Sequence, residues 1–149
     1  MVFEKNAAER GRFFLGAVYK ILFKQFCDVN GIKTSPWQIV KTKEDILDFG
    51  LPCVLKASNG GSSKEVFVLK RRVDFTNEVN ELINSGTPIF VEKYLEGTEV
   101  TVGLLNGKVL PLIEIVPPEG EWFSYENKYS PTTREIPNAP SLDLEVQKI

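Results

Sequence analysis

The residues with the clearest chemical potential lie in a short glycine- and serine-rich segment, Asn59-Gly60-Gly61-Ser62-Ser63, which Lys56 precedes. Glycine lets backbone N–H groups approach an anion, serine hydroxyls donate hydrogen bonds, and a lysine supplies positive charge. The segment therefore fits a phosphate group. It is not a Walker P-loop, because its lysine precedes the glycines and a strand pattern follows them. A mobile polar turn remains the alternative on composition alone.

Two further segments combine charged, polar and apolar side chains. Val91-Glu92-Lys93-Tyr94-Leu95-Glu96-Gly97-Thr98-Glu99 interleaves carboxylates, a lysine and apolar residues where one predicted strand gives way to the next. Backbone groups of such a connector can bind a base edge, and a carboxylate can accept two vicinal hydroxyls; an exposed edge with solvated charges is the alternative. Lys128-Tyr129 is the third candidate, and an ordinary basic and aromatic pair on a loop is its alternative.

The composition limits the chemistry that this chain of 149 residues can do. It contains no histidine, so serine-histidine triads, cysteine-histidine pairs and histidine metal sites are excluded. The 18 basic and 20 acidic residues create no field that would attract nucleic acid or anionic lipid. Two cysteines in apolar runs are typical of buried reduced thiols. Without a long apolar run or a signal peptide, we expect a cytoplasmic protein that binds neither membrane nor nucleic acid.

The pattern of apolar residues predicts helices and strands that would position these segments. Apolar residues at 13, 14, 17, 18, 21, 22 and 26 predict a helix that ends at Asn30-Gly31. Thr42 caps a short helix through Asp48, and Asp74 caps another whose face carries Phe75, Val79, Leu82 and Ile83. Strands are predicted at 37–40, 52–57, 65–70, 89–94, 98–105 and 108–115, with an Asn106-Gly107 hairpin between the last two.

The amino-acid composition changes from Pro111 onward. Six of the nine prolines lie between 111 and 140, which predicts a long irregular segment, and segments of that length are usually functional. Residues 141–146 are expected to begin a further helix. The sequence thus predicts a mixed α/β (α+β) fold with antiparallel strands and helices.

The order of these segments resembles the ATP-grasp ligases and, within them, the D-alanine:D-alanine ligases. The matching pieces run from about Lys20 to Pro140: 20–24 with 31–37, 51–56 with 61–63, 91–99, 110–115 and 125–130. The proline-bearing strand and the Tyr-Glu-x-Lys-Tyr loop favour this ligase over other members. The resemblance implies an N-terminal remnant at 1–12, a central ATP-binding subdomain at 13–110, and an incomplete beginning of the C-terminal subdomain at 111–149.

The resemblance also assigns roles to individual residues. Lys20 and Lys56 would contact the phosphates of ATP, and Ser62 and Ser63 would lie in the flap that closes over them. Glu92, Lys93 and Leu95 would bind adenine, while Glu99 would hold the ribose hydroxyls. The catalytic loop would supply Lys128 near the transferred phosphate and Tyr129, linked to Ser62. Two departures concern the flap: Lys64-Glu65 follows Ser63 where the family usually has a glycine, and Gly60 replaces an acidic residue of many members.

The function implied is formation of the D-alanyl-D-alanine dipeptide for peptidoglycan from ATP and D-alanine through an acyl phosphate, by a family that is commonly homodimeric. Magnesium or manganese is expected in the intact enzyme, but no segment here matches the family's metal-binding acids. We therefore expect the isolated chain to be inactive. A carboxylate-amine ligase of other specificity and an inactive nucleotide-binding module are the alternatives.

Overall fold

The structure is a computed structural model that describes residues 19–59, 61 and 63–147. The chain forms two compact units, the first ending at Leu95 and the second beginning at Glu96. The apolar positions 13, 14, 17 and 18 of the first predicted helix and the predicted 1–12 remnant lie outside the described residues. The subdomain boundaries inferred from the family resemblance stay predictions.

From residue 19 onward, the described part of the first unit contains three α-helices and a four-stranded sheet. In chain order they are α1 (Lys20–Val29), β1 (Trp37–Val40), α2 (Lys43–Phe49), β2 (Cys53–Ala57), β3 (Val66–Leu69), a 3₁₀ turn (Arg72–Asp74), α3 (Asn77–Asn84) and β4 (Ile89–Lys93). The strand order is β1-β4-β2-β3, and every neighbouring pair is antiparallel. These elements confirm the predicted mixed α/β fold.

One face of this sheet packs into the hydrophobic core. Successive side chains of a strand point to opposite faces, so Cys53, Leu55 and Ala57 of β2 are buried together, and Val91 of β4 joins them. Helices α2 and α3 cover this face through Ile46, Val79 and Leu82, and Phe75, between the 3₁₀ turn and α3, packs with them. The alternate residues of β2 and β4, which include Lys56 and Glu92, lie on the opposite face of the sheet.

Helix α1 ends as the Asn30-Gly31 pair predicted. Gly31 adopts a φ of +64°, and its N–H donates to Asp28 O while the N–H of Ile32 donates to Cys27 O at 2.9 Å. This is the Schellman arrangement, in which a left-handed residue lets the last carbonyls of a helix find donors. The reversal directs the chain into β1.

Helix α2 begins as predicted, but α3 does not. Thr42 Oγ1 accepts the N–H of Asp45, and Asp45 Oδ2 accepts the N–H of Thr42 in return, which is a capping box. Asp74 was expected to cap α3 and instead accepts the backbone N–H groups of Lys70 and Arg71, both at 2.7 Å. Because those bonds close the 3₁₀ turn, α3 starts later, after Thr76.

The second unit contains short strands and two short helices. They are β5 (Glu99–Thr101), β6 (Leu104–Leu105), β7 (Lys108–Val109), β8 (Ile113–Val116), α4 (Tyr125–Lys128), β9 (Arg134–Pro137) and α5 (Leu144–Gln147). The order of the three-stranded sheet is β5-β8-β9, and β6 pairs with β7 around Asn106-Gly107, whose φ values are +50° and +75°. Two positive φ angles are what a tight two-residue hairpin requires, so that prediction is confirmed.

Two predictions for this unit were too simple. The expected strands 98–105 and 108–115 are each broken in two. The N–H of Leu110 still donates to the carbonyl of Gly103, but the next residue, Pro111, has no N–H with which to continue the ladder. The segment 111–140 is also less irregular than expected, because β9 pairs with β8 along its whole length. Local sequence does not reveal a strand whose partner lies some twenty residues away.

Cys27 and Cys53 are buried and carry free thiols, as predicted. Burial raises the pKa of the Cys53 thiol to about 11. Among the described residues, no helix combines the length and the hydrophobicity needed to cross a bilayer.

Candidate functional site

The candidate site lies on the sheet face opposite the core. In the antiparallel register Lys56 of β2 stands beside Phe90 of β4, so Glu92 is its diagonal neighbour on the same face. Trp37 of β1 is paired with Glu92, and its ring meets Phe90 edge-on with centroids 6.1 Å apart. Three adjacent strands therefore place a carboxylate, an ammonium group and two aromatic rings on one face of the sheet.

Helix α1 adds a second lysine to this face. The Lys24 ammonium lies 2.5 Å from Glu92 Oε2, while the Lys56 ammonium donates to Glu92 Oε1. Lys24 also donates to Thr34 Oγ1 at 2.6 Å and to Ser35 Oγ at 3.1 Å. The Ser35 hydroxyl in turn donates to Glu92 Oε2 at 2.9 Å. The carboxylate is thus held by two ammonium groups and one hydroxyl.

The ionisation of Glu92 follows from this arrangement. Burial opposes the charged form, but the hydrogen bonds and charges of Lys24 and Lys56 outweigh it and lower the pKa of the Glu92 carboxyl. Glu92 is therefore a carboxylate at neutral pH. The three charged groups carry a net charge of +1, and Lys56 is the more exposed of the two lysines.

The N-terminus of α1 brings Lys20 to the end of β2. The N–H of Lys20 donates to Ser58 O at 2.7 Å, and its ammonium donates to Ala57 O at 3.1 Å. Burial and the nearby positive charge of Lys56 lower the pKa of Lys20. The two lysines predicted to contact phosphate are thus close enough to repel each other, which an anion between them would relieve.

The hairpin between β2 and β3 is described only in part. The antiparallel ladder extends one step into it, because the N–H of Ala57 donates to Glu65 O at 3.1 Å. Ser63 is half-buried and has a φ of +60°, a left-handed conformation that is uncommon for serine. Ser62, the predicted flap residue, lies outside the described residues.

The predicted adenine-binding connector leaves the sheet at the end of β4. The N–H of Lys93 donates to Pro36 O at 2.9 Å, and both Lys93 and Leu95 are exposed. The Lys70 ammonium lies over the ring of Tyr94, 4.9 Å from the ring centroid. The structure therefore brings Lys20, Lys56 and Glu92 together, with the connector continuing directly from Glu92.

The remaining predicted residues belong to the second unit. Glu99 is the exposed first residue of β5, and Tyr129 is exposed and meets Tyr125 edge-on at 5.2 Å. The Lys128 ammonium lies 5.3 Å from the centroid of the Phe123 ring. The roles assigned to these three residues stay predictions.

A buried amide holds the predicted catalytic loop together. The Asn127 amide donates to Glu121 Oε2 at 2.7 Å and to Trp122 O at 2.8 Å, and Ser124 caps the single turn that carries Lys128. Sequence reasoning overlooked Asn127, because a polar residue between Glu126 and Lys128 reads as solvent-facing. Burial of an asparagine inside a loop is visible only in the folded chain.

Lys24 is the other residue that sequence reasoning left without a role. Its spacing from Lys20 could have indicated a role, because the two lysines are four residues apart and share one face of α1.

For a divalent metal, residues 19–59, 61 and 63–147 offer no group of three or more Asp, Glu, Cys or His side chains. The described residues therefore do not form a metal site by themselves.

Curated relatives match most of this chain. D-alanine--D-alanine ligases from Synechococcus sp. (strain JA-2-3B'a(2-13)) and Clostridium beijerinckii are 33% and 36% identical to it, over 77% and 74% of its length. The corresponding enzyme from Gloeobacter violaceus is 30% identical over 89% of the chain. The chain spans 37%, 38% and 46% of the length of these three relatives.

Solved structures share the fold. The D-alanine--D-alanine ligase from Bacillus anthracis superposes with a TM-score of 0.60 at 30% identity, covering 79% of this chain and 40% of that one. A structure of the Bacillus anthracis ligase complexed with ATP gives a TM-score of 0.57 at 24% identity, over 79% of this chain and 38% of that one. A family model described as the D-ala D-ala ligase C-terminus matches residues 25–148. By its sequence over residues 25–148, the chain belongs to the D-alanine:D-alanine ligase family.

Proposed function

We propose that this chain supplies the nucleotide-binding part of an ATP-dependent D-alanine:D-alanine ligase that makes the D-alanyl-D-alanine dipeptide for peptidoglycan. Family membership supports the ligase class, and the ATP complex of a protein with the same fold supports the nucleotide. The observation that carries the proposal for this chain is the pair of neighbouring ammonium groups, Lys20 and Lys56, at the entrance to the glycine- and serine-rich hairpin.

The first step in the argument is electrostatic. Two lysines that repel each other at a partly buried position lower the stability of the empty site, and a polyphosphate restores it by accepting from both. Lys56 has one hydrogen-bond partner among the described residues, the Glu92 carboxylate, so its remaining N–H donors can serve a ligand. Ser62 and Ser63 would close over the phosphates from the hairpin tip.

The second step concerns the nucleoside. Glu92 leads directly into Lys93 and Leu95, and a connector of this kind offers backbone groups to an adenine edge. We assign Glu92, Lys93 and Leu95 to adenine and Glu99 to the ribose hydroxyls. A carboxylate suits the ribose because it can accept from two vicinal hydroxyls.

The reaction proposed for the intact ligase needs positioning and charge neutralisation rather than a histidine base. The γ-phosphoryl group of ATP passes to the carboxylate of one D-alanine, and the amine of a second D-alanine attacks the acyl phosphate. The dipeptide, ADP and phosphate are released. Lys128 would stabilise the transferred phosphate, and Tyr129 would pair with Ser62 to keep the loop over the hairpin. In the intact enzyme, ATP would bind together with a divalent cation, magnesium or manganese. We also propose that the intact enzyme is a cytoplasmic homodimer.

Calorimetry with ATP tests the part of this proposal that belongs to the chain. We expect measurable binding, and we expect Lys56→Met to weaken it about 10- to 100-fold, since a charge-assisted hydrogen bond is worth about 1.5–3 kcal/mol. Lys33→Met is the matched control, because Lys33 is exposed and its loss changes the net charge equally. Absence of heat at millimolar ATP, or equal effects of both variants, would refute nucleotide binding at this site.

The ligase reaction is tested separately by release of phosphate from ATP in the presence of D-alanine. We propose that the 149-residue chain alone releases none, since it spans less than half the length of its relatives. The intact ligase should release phosphate only when D-alanine is present. D-lactate and D-serine as second substrates would reveal a different specificity.

A further inference from the structure

The two lysines that hold Glu92 differ in how many of their donors are in use. Lys24 is buried, and its ammonium contacts Glu92 Oε2, Thr34 Oγ1 and the hydroxyl and carbonyl of Ser35. A lysine has three N–H donors, so Lys24 has none left for a ligand. Lys56 donates to Glu92 Oε1, its single hydrogen-bond partner within the described part of the chain.

This difference matters when an anion arrives. If Lys56 turned toward a phosphate without help, Glu92 would be left as a partly buried carboxylate with no opposing charge, which is strongly unfavourable. Lys24 removes that obstacle, since it stays at 2.5 Å from the other carboxylate oxygen and cannot follow the ligand. The Ser35 hydroxyl, 2.9 Å from the same oxygen, fixes the carboxylate plane.

We propose that Lys24 is a positioning residue for nucleotide binding, which neutralises and orients Glu92 so that Lys56 can donate to a polyphosphate. This inference rests on the proposed function, because it takes ATP as the ligand of Lys56. Lys24 touches no ligand in this account. It acts through Glu92 alone.

A packing role is the competing explanation. Lys24 is one of three buried residues of α1, with Ile21 and Cys27 each three positions away on the same face, and an apolar side chain of equal length would fill the space of its stem. Lys24→Met keeps the stem and removes the charge, so it separates the two roles. Lys33→Met again serves as the control for net charge.

The first measurement needs no nucleotide. A ¹³C NMR titration of the Glu92 side-chain carboxyl should show a higher pKa in Lys24→Met than in the unaltered chain and no change in Lys33→Met. The charged groups that face Glu92 are Lys24 from α1 and Lys56 from β2, so one of two opposing charges is lost. An unchanged Glu92 pKa in Lys24→Met would overturn the inference, whether or not the chain binds ATP.

The second measurement is the ATP affinity. We expect Lys24→Met to weaken binding at least tenfold and Lys33→Met to change it less than twofold. In the Glu92→Gln background the same Lys24→Met change should cost less than threefold, because no carboxylate remains to be neutralised. A full tenfold loss in that background, or no loss in the original one, overturns the proposal. Failure of the unaltered chain to bind ATP would count against the proposed function, and the carboxyl titration then decides the role of Lys24.

Folding provides a further discriminating result. If Lys24→Met fails to fold, the double variant Lys24→Met with Glu92→Gln should recover a cooperative unfolding transition, since the buried carboxylate is removed together with Lys24 and only the more exposed Lys56 loses its partner. Recovery supports neutralisation of Glu92 by Lys24. No recovery shows that Lys24 is needed for packing and overturns the inference.

Discussion

Replacing Glu92 by glutamine should lower the stability of the first unit substantially. The carboxylate side chain is 14% exposed and accepts from Lys24, Lys56 and Ser35, so Glu92→Gln leaves two ammonium groups without an opposing charge. Breaking a buried ion pair costs about 3–5 kcal/mol. Glutamine keeps one acceptor oxygen and Lys56 is partly exposed to water, so we expect a cost at the lower end, about 3 kcal/mol, although the N–H₂ group faces the second ammonium unfavourably.

For a chain of this length that loss corresponds to a fall in Tm of about 6–12 °C, from a shift of about 2–4 °C per kcal/mol. Thermal unfolding followed by circular dichroism at pH 7 measures it. Glu81→Gln on α3 is the matched control, because Glu81 is exposed and its substitution should change the free energy of unfolding by less than about 0.5 kcal/mol. Equal Tm values for Glu92→Gln and Glu81→Gln would refute the reasoning.

The pH dependence supplies a second check on the same variant. The pKa of Glu92 is lower in the folded than in the unfolded chain, so its contribution is fully present above the unfolded value and is lost as pH falls through the folded one. The stabilities of the unaltered chain and Glu92→Gln should therefore converge in acid. A gap that stays constant down to the acid transition would contradict the assigned ion pairs.

Three further predictions concern residues away from this carboxylate. Thr42→Ala should lower the free energy of unfolding by about 1 kcal/mol in urea denaturation, because it removes the cap of α2; Thr76→Ala, at a helix start where the side chain does not cap the backbone N–H groups, should change it much less, and equal losses would contradict the capping role. The thiols of Cys27 and Cys53 should not react with a disulfide reagent at pH 8 until urea unfolds the chain, since both are buried and the pKa of Cys53 is about 11; rapid labelling of the native protein would be the contrary result. Asn127→Ala should speed amide hydrogen exchange in α4, by a local loss of about 1–2 kcal/mol, because two hydrogen bonds of the buried amide disappear; unchanged exchange would show that the loop is held otherwise.

Much of the fold followed from local signals in the sequence. The capping box at Thr42 and Asp45, the left-handed Gly31 and the Asn106-Gly107 hairpin each depend on residues only a few positions apart. Such features are set by backbone geometry and short-range hydrogen bonds, so the sequence states them directly. The apolar run at 52–57 likewise predicted the strand that became β2.

Errors arose for two reasons: one side chain had two possible sets of partners, and one strand depended on a partner distant in the chain. Asp74 looked like a helix cap, but its carboxylate is used by the amides of Lys70 and Arg71. Strand β9 had no signal of its own, because an exposed edge strand has mixed polarity and is defined by its pairing with β8.

For the candidate site, the sequence by itself determined which residue types were available: no histidine, a lysine before a glycine- and serine-rich hairpin, and a carboxylate at the start of a connector. Only the tertiary structure decided how they work together, because β2, β4 and α1 are separated along the chain and meet through sheet register and helix packing. That meeting makes Lys24, which had no role in the sequence, the buried counter-charge of Glu92, and it leaves Lys56 with donors to spare. Charge and burial at one point in space depend on all the elements that converge there, and no local stretch of sequence contains that information.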